Sequence, residues 1–373
     1  MRSLVALKIL LHDRATTLGS LIGVIAIVFL VGQQLAVLFG LFTFMSVLVD
    51  HSGADIWVCS KHTSNVNSAG LIPERYLDRI SGLPFVVWAE PLLFGNGTFV
   101  TAQGTNESVQ VVGLRMPRAA AGPWRFFKGG SEGLLDHEGI TLDRLDLRMF
   151  GNPEYGKVYE INSVRVRVSG ITQSIKGFAG RLVFTNMVKA REILKTPPGR
   201  CRAILVKLAD GIDRAAAITQ LQAMLPAAEV IAAADLSALT RIYYVKNTGM
   251  GGSFGFSTIV GALVGIIIIT LTMYTAVLQR QKDFAVLRAL GARKRDILII
   301  VLLQSLMIGV AGIFIGFLLL SLFLQATLDT PLPSYMPLAA APVLAVGTLL
   351  LCILGSVLAM RKAVSIEPAS VFR

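Results

Sequence analysis

The sequence predicts a membrane protein with four transmembrane α-helices, one ahead of and three behind a large extracytoplasmic α+β domain. Two observations carry this. Of 373 residues, 54% are hydrophobic and only 16% are charged, where soluble domains carry about 25% charged residues. The apolar residues are also gathered into runs longer than the roughly 18 that mark a spanning helix. Those runs leave a stretch of ordinary globular composition between the first and the second.

The first span is expected at 18–49, since no charge lies between Arg14 and Asp50. Its apolar run is too long for a cleaved signal core, and no small-x-small site closes it, so it reads as an uncleaved anchor. The other spans are expected at 253–279, 297–324 and 342–360. At 1.5 Å per residue each is long enough to cross a bilayer core. Between them fall a loop at 280–296, a short loop at 325–341 and a tail at 361–373, with an N-terminal tail at 1–17.

Lys and Arg near the span ends set the orientation. Arg2, Lys8 and Arg14 precede the first span, Arg280, Lys282, Arg288, Arg293, Lys294 and Arg295 fill the 280–296 loop, and Arg361, Lys362 and Arg373 follow the last span. The 325–341 loop has only Asp329. Both tails and the 280–296 loop are therefore expected on the cytoplasmic side, and residues 50–252 on the other. The formal net charge of +12 is mostly this topology signal, so nucleic acid is not an expected partner.

Within 50–252 the pattern predicts strands at Ala54–Val58, Val109–Leu114, Val158–Ile171, Leu182–Thr185 and Arg202–Leu208. Helices are predicted at Pro73–Ile80, Met187–Lys195, Ile212–Leu225 and Ala234–Tyr244, with Pro73 as a first-turn residue and Pro226 as a stop. Passages at 54–88 and 202–231 read as small βαβ-type subdomains. Residues 117–156, rich in Gly and Arg, read as loops or an inserted subdomain.

Sites of chemistry are sparse. Gly151-Asn-Pro-Glu-Tyr-Gly156-Lys157-Val158 nearly spells a phosphate-binding loop. Val158 stands where the Mg²⁺-binding hydroxyl belongs, and a strand follows instead of a helix, so a glycine turn is the better reading. His51, Asp55, Cys59 and His62 match no metal-ligand spacing, and strand alternation splits them between faces. Cys59 and Cys201 share one compartment, but their pairing is not readable from sequence; Cys352 reads as an apolar residue of the last span. No nucleophile–base pair is evident, His137 has no evident partner, and neither catalytic residue, cofactor nor metal is expected.

The 280–296 loop is more telling. Phe284, Leu287 and Leu290 recur every three residues on one stripe of a short helix, Asp283, Arg288 and other charges surround it, and Gly291 is placed to end it. Such a helix either lies on acidic lipid or fills a groove on a soluble partner, and charge and period alone favour lipid.

The run Asp283-Phe-Ala-Val-Leu-Arg-Ala-Leu-Gly-Ala292 resembles the coupling-helix signature of the MacB/FtsX-like ABC permeases. The end Glu367-Pro368-Ala-Ser-Val-Phe372-Arg373 resembles that family's acidic-Pro-x-x-x-Leu-Arg element, with Phe372 for the commoner Leu. The layout of one span, a large domain and three spans matches too. Leu358–Lys362 and Tyr243–Thr248 resemble DevC-type permeases more than MacB itself.

The resemblance implies a MacB-like periplasmic domain and a permease subunit working as a homodimer. A cytoplasmic ATPase would press on Asp283, Phe284, Leu287, Arg288, Leu290, Gly291 and Arg293. MacB carries its ATPase on the same chain. Here the first span is expected after about 17 residues and no intact Walker motif occurs, so the ATPase is expected as a separate subunit, as in DevC-like systems. The implied activity is export of a lipid, peptide or hydrophobic compound through a membrane-fusion adaptor and an outer-membrane channel. The alternatives are an FtsX-like mechanotransmitter controlling a cell-wall hydrolase, which a domain of about 200 residues argues against, and a LolC/LolE-type lipoprotein extractor. Inside the spans, Gln33, Gln34, Thr270, Thr272 and Gln304 are expected mainly to join helices, and Gly309, Gly312 and Gly316 to allow close packing, including across a dimer axis.

Overall fold

The computed structural model describes residues 14–279, 294–328, 330 and 334–364. They form two compact units, one of apolar helices and one running from Leu41 to Gly251.

The first span is the helix α1, Arg14–Met45, followed after Ser46 by a single turn, α2, Val47–Asp50. The large unit then runs β1 Ile56–Ser60, β2 Ile72–Pro73, α3 Tyr76–Ser81, β3 Val86–Val100, β4 Asn106–Leu114, β5 Phe126–Gly129, β6 Gly139–Asp143, β7 Val158–Ile161, β8 Val164–Thr172 and β9 Arg181–Asn186. It continues with α4 Met187–Leu194, β10 Arg200–Cys201, β11 Ala203–Leu208, α5 Arg214–Met224, β12 Ala228–Ala232 and α6 Ala233–Asn247. The remaining helices are α7 Met250–Gln279, α8 Lys294–Thr327 and α9 Ala340–Val364.

Thr17–Met45, Leu298–Thr327 and Ala340–Val357 are long and apolar enough to cross a membrane. A fourth span counts when Gly252–Ile268 is joined with the helix before it. Small residues set the packing of this unit. A Cβ on Gly312 would lie 2.6 Å from Val24, one on Gly316 2.7 Å from Val28, one on Gly265 2.5 Å from Ile27 and one on Gly32 2.7 Å from Leu320. Spans α7 and α8 therefore press directly against α1.

In the large unit the sheet begins in the order β12-β1-β11-β3, each pair antiparallel. Two crossovers, β1-α3-β3 and β11-α5-β12, thus each straddle one intervening strand. The expected βαβ passages exist, but split, in the pattern of a ferredoxin-like unit. Strand alternation divides the core. Ile56, Val58, Ile204 and Val206 pack with Leu77, Ile80, Ala217 and Leu221 of α3 and α5, while Trp57, Cys59, Ala203 and Leu205 face a second core with Phe94, Phe184 and Leu236.

Between β3 and β11 the chain inserts a ring. β3 pairs β4, β4 pairs β9, β9 pairs β6, β6 pairs β8, β8 pairs β7, and β7 returns to β3 at Phe99–Ile161 and Val100–Glu160. All six strands send side chains into one core, among them Phe99, Val111, Ile140, Ile161, Val166 and Val183, and α4 adds Met187, Ala190 and Ile193. Closure leaves these strands no open edge.

Several local expectations are corrected. Pro73 lies in β2, opposite Arg200, and the helix starts at Tyr76. The single strand expected over Val158–Ile171 is a hairpin, because Asn162 (φ 51°) and Ser163 (φ 64°) take the left-handed conformations of a primed two-residue turn. Residues 117–156 hold β5 and the fully buried β6.

Candidate functional site

The coupling residues Asp283, Phe284, Leu287, Arg288, Leu290, Gly291 and Arg293 lie outside the described residues, as do Glu367, Pro368, Phe372 and Arg373. The glycines of α8 are described. Gly312 and Gly316 face Val24 and Val28 of α1, and Gly309 faces Leu349 and Cys352 of α9, all within one chain. Gln34 donates to the Ser257 hydroxyl of α7 at 2.7 Å, and Ser305 of α8 meets Ser356 of α9. The Gln304 amide nitrogen and the Thr270 hydroxyl are buried without a hydrogen-bond partner among the described residues. Each such group inside a bundle is an unmet demand of about 1–3 kcal/mol.

In the large unit, Gly151 (φ 75°), Asn152 (φ 55°) and Gly156 (φ 84°) bend the chain in successive left-handed turns. Lys157 pairs with Glu154 at 2.6 Å, and β7 follows. The lysine is thus committed to a carboxylate, and no helix N-terminus is present to receive a phosphate. A cleft of about 420 Å³ opens beside this turn, lined by Thr101, Asn152, Lys157 and Tyr159.

His51, Asp55, Cys59 and His62 are dispersed. His51 stacks on Trp124 at 3.8 Å, Asp55 pairs with Lys207 at 3.1 Å, and Cys59 is wholly buried. Among the described residues no group of three or more His, Cys, Asp or Glu is placed to hold a metal ion. Cys59 and Cys201 are free thiols, and burial pushes each up to about 12. Neither is a thiolate near neutrality, which removes the ionised form that nucleophilic or metal-binding chemistry needs.

A polar cluster absent from the sequence expectations lies inside the large unit, between α2 and α6. Asp50, the last residue of α2, accepts from Ser46 at 2.7 Å, from Ser237 at 2.7 Å and from Arg241 at 2.7 Å. Arg241 Nε also donates to the Ser46 hydroxyl at 2.9 Å. Ser237 and Arg241 belong to α6, the helix that leads toward α7. The spacing Ser237, Thr240, Arg241, Tyr244 was the available signal, because i, i+3, i+4 and i+7 share one helix face.

Comparison with known proteins identifies this assembly of parts. Residues 15–224 match the MacB-like periplasmic core domain, and residues 255–368 match the FtsX-like permease C-terminal domain. The chain belongs to the MacB/FtsX-like permease family. Relatives described as uncharacterised ABC transporter permeases occur in Mycobacterium tuberculosis (27% identical over 110 residues, 30% of this chain and 31% of the relative) and Mycobacterium bovis (32% over 110 residues, the same shares). A third, from Methanocaldococcus jannaschii, is 28% identical over 171 residues, 44% of this chain and 42% of the relative. The chain spans less than half the length of these relatives. Among solved structures, the periplasmic region of MacB from Actinobacillus actinomycetemcomitans aligns with a TM-score of 0.38 at 14% identity, over 50% of this chain and 93% of that one. The extracellular domain of the ABC-type transporter YknZ from Gram-positive bacteria aligns with a TM-score of 0.36 at 10% identity, over 48% of this chain and 99% of that one.

Proposed function

We propose that this MacB/FtsX-like permease is the membrane subunit of an ABC transporter whose ATP is hydrolysed by a separate cytoplasmic subunit. The observation that carries the reading is the pairing of the two matches in one chain. The MacB-like part takes in the first span and most of the large domain, and the FtsX-like part takes in the later spans with the loop between them. Both tails and the 280–296 loop face the cytoplasm, where their cations belong, and the large domain faces outward. The chain acts as a homodimer, because four spans are too few to enclose a path alone.

ATP-driven closure of the partner subunits pushes on the Phe284, Leu287 and Leu290 stripe, and the spans pass the displacement to the large domain. In thermodynamic terms this is a two-state element biased by the different affinities of its nucleotide states. The transported compound is a lipid, a peptide or another hydrophobic molecule, passed on through an adaptor and an outer-membrane channel.

Purified alone, the chain is expected to turn over no ATP. Mixed with its cognate ATPase subunit in lipid nanodiscs, it should form a complex whose turnover differs from that of the free ATPase. Hydrolysis by the isolated chain, or an ATPase indifferent to its presence, would contradict the proposal.

A further inference from the structure

One face of α6 is packed into the large unit and the other is left exposed. On the packed face Leu236 is wholly buried in the core with Trp57, Phe94 and Phe184, and Ser237 and Thr240 are buried beside it. On the exposed face stand Leu239, 44% exposed, and Ile242, 49% exposed, with Tyr243 half-buried next to them. Positions 239, 242 and 243 are i, i+3 and i+4, so they make one apolar stripe. Exposed Asp235 and Lys246 lie on the same face at its two ends. A single leucine on a surface needs no explanation. A stripe on a helix that has already buried its other face does.

Residues 46–51 show how far that stripe lies from lipid. The first apolar span ends at Met45, and Val47–Asp50 is one helical turn. At 1.5 Å per residue Asp50 is about 8 Å beyond Met45, and the headgroup layer is about 5–7 Å deep on each side of a bilayer. The helix is bonded to both ends of this segment: Arg241 Nε donates to the Ser46 hydroxyl at 2.9 Å, and Ser237 donates to Asp50 at 2.7 Å. Further along, only residues 248–251 separate Asn247 from Gly252, where the next apolar stretch begins. The second half of α6 is thus tethered close to headgroup depth from two directions.

A second ring is tethered at the same depth. His51 stacks on Trp124 at 3.8 Å, and Trp124 stays 38% exposed. Trp and Tyr gather at the boundary of acyl chain and water because each joins an apolar ring to a polar tip. A lysine at the edge of such a stripe keeps its ammonium among the phosphates while its stem covers apolar surface.

We infer that Leu239, Ile242 and Tyr243 form a lipid-contact surface, seated at the boundary of headgroups and acyl chains in the leaflet on the large domain's side, with Lys246 beside the lipid phosphates and Trp124 as a second anchor. Lipid is the occupant because the stripe continues, across four residues, into a helix that itself faces lipid, and because its tyrosine and lysine suit the carbonyl and phosphate layers. A helix needs no outside hydrogen bonds along its length, so α6 can meet the bilayer there without exposing an unmet backbone group. Such a contact needs the spans but no ATPase subunit, and so stands apart from the coupling described above.

The test places the full chain in lipid nanodiscs with an environment-sensitive dye on Ile242→Cys, an exposed position. Cys59, Cys201 and Cys352 are buried and stay unlabelled. A phospholipid nitroxide near the headgroup end of the acyl chain is expected to remove at least about half of the emission, and aqueous iodide less than about a tenth. The same dye on Ser131→Cys, exposed on the large domain, should respond to iodide and ignore the lipid nitroxide. Where Ile242→Cys does not fold, Leu239→Cys takes its place with the same expectation. Iodide quenching equal to that of the Ser131 probe puts the stripe in water and overturns the inference. A dye shielded from both quenchers puts it against protein, such as a second copy of this chain, and overturns it equally.

Discussion

Leu287→Asp, or Leu290→Asp, is expected to abolish co-purification of the ATPase subunit while the chain remains in the membrane fraction at wild-type abundance. The reason is the stripe formed with Phe284 at three-residue spacing. If that stripe fills a groove on the ATPase, a carboxylate placed in it is buried without a partner. Such a change at the centre of an interface costs about 2 kcal/mol or more, a factor of about 30 in affinity. Insertion into the bilayer depends on the spans and is untouched. A complex that survives both substitutions would place the stripe on lipid, the reading that charge and period alone favour.

The second large effect is expected at Phe99→Ala. Phe99 is fully buried, packs against Phe150 at 4.9 Å and Tyr159 at 5.5 Å, and pairs with Ile161 where β7 closes the six-stranded ring. Removing a ring from such a site costs about 3–5 kcal/mol. Because the loss falls on the closing pair, amide hydrogen exchange should accelerate most in β3, β7 and β8 and least in β12. Val87→Ala, at a position 62% exposed on the same strand, should change almost nothing. Equal acceleration across the whole domain would mean that the ring does not behave as a unit.

How much of this was legible in the sequence depended on how many structures each pattern admits. About twenty apolar residues without a charge admit one solution in lipid, so the spans were readable with no further information. The strand at Val109–Leu114 was readable from its three valines, whose branched side chains favour strands. β3 was not. Pro91 breaks its ladder potential, and Gly95 and Gly97 read as loop residues. The structure shows why they are there: a Cβ on Gly97 would lie 2.9 Å from Ile161 across the closing pair, and one on Gly95 3.1 Å from Leu194 of α4. Those glycines admit close neighbours that only the tertiary fold supplies. β6 was missed because only Ile140 and Leu142 of its five residues are apolar, and the buried Thr141 and Asp143 are held by hydrogen bonds from Phe184, Thr172 and Ile175 that the sequence does not display.

The candidate site divides along the same line. The coupling stripe was visible as a period and a resemblance, and its residues lie outside the described part of the chain. The Asp50–Arg241 cluster was hidden because its parts lie 191 residues apart, a pairing that no local period reports. Asp50 itself was on view as the charge that ends the first apolar run, but a charge there reads first as the water boundary of a span.

The account stands on the two faces of the membrane being divided between fuel and motion, with the 280–296 loop on one side and the large domain on the other. The direct measurement is cysteine labelling in intact cells with a maleimide that cannot cross the inner membrane, applied to single probes at Ser131→Cys and Lys294→Cys. The account predicts that the reagent, admitted past any outer envelope, modifies the Ser131 probe and reaches the Lys294 probe only after the inner membrane is opened. Labelling of the Lys294 probe in sealed cells, with the Ser131 probe protected, would contradict it.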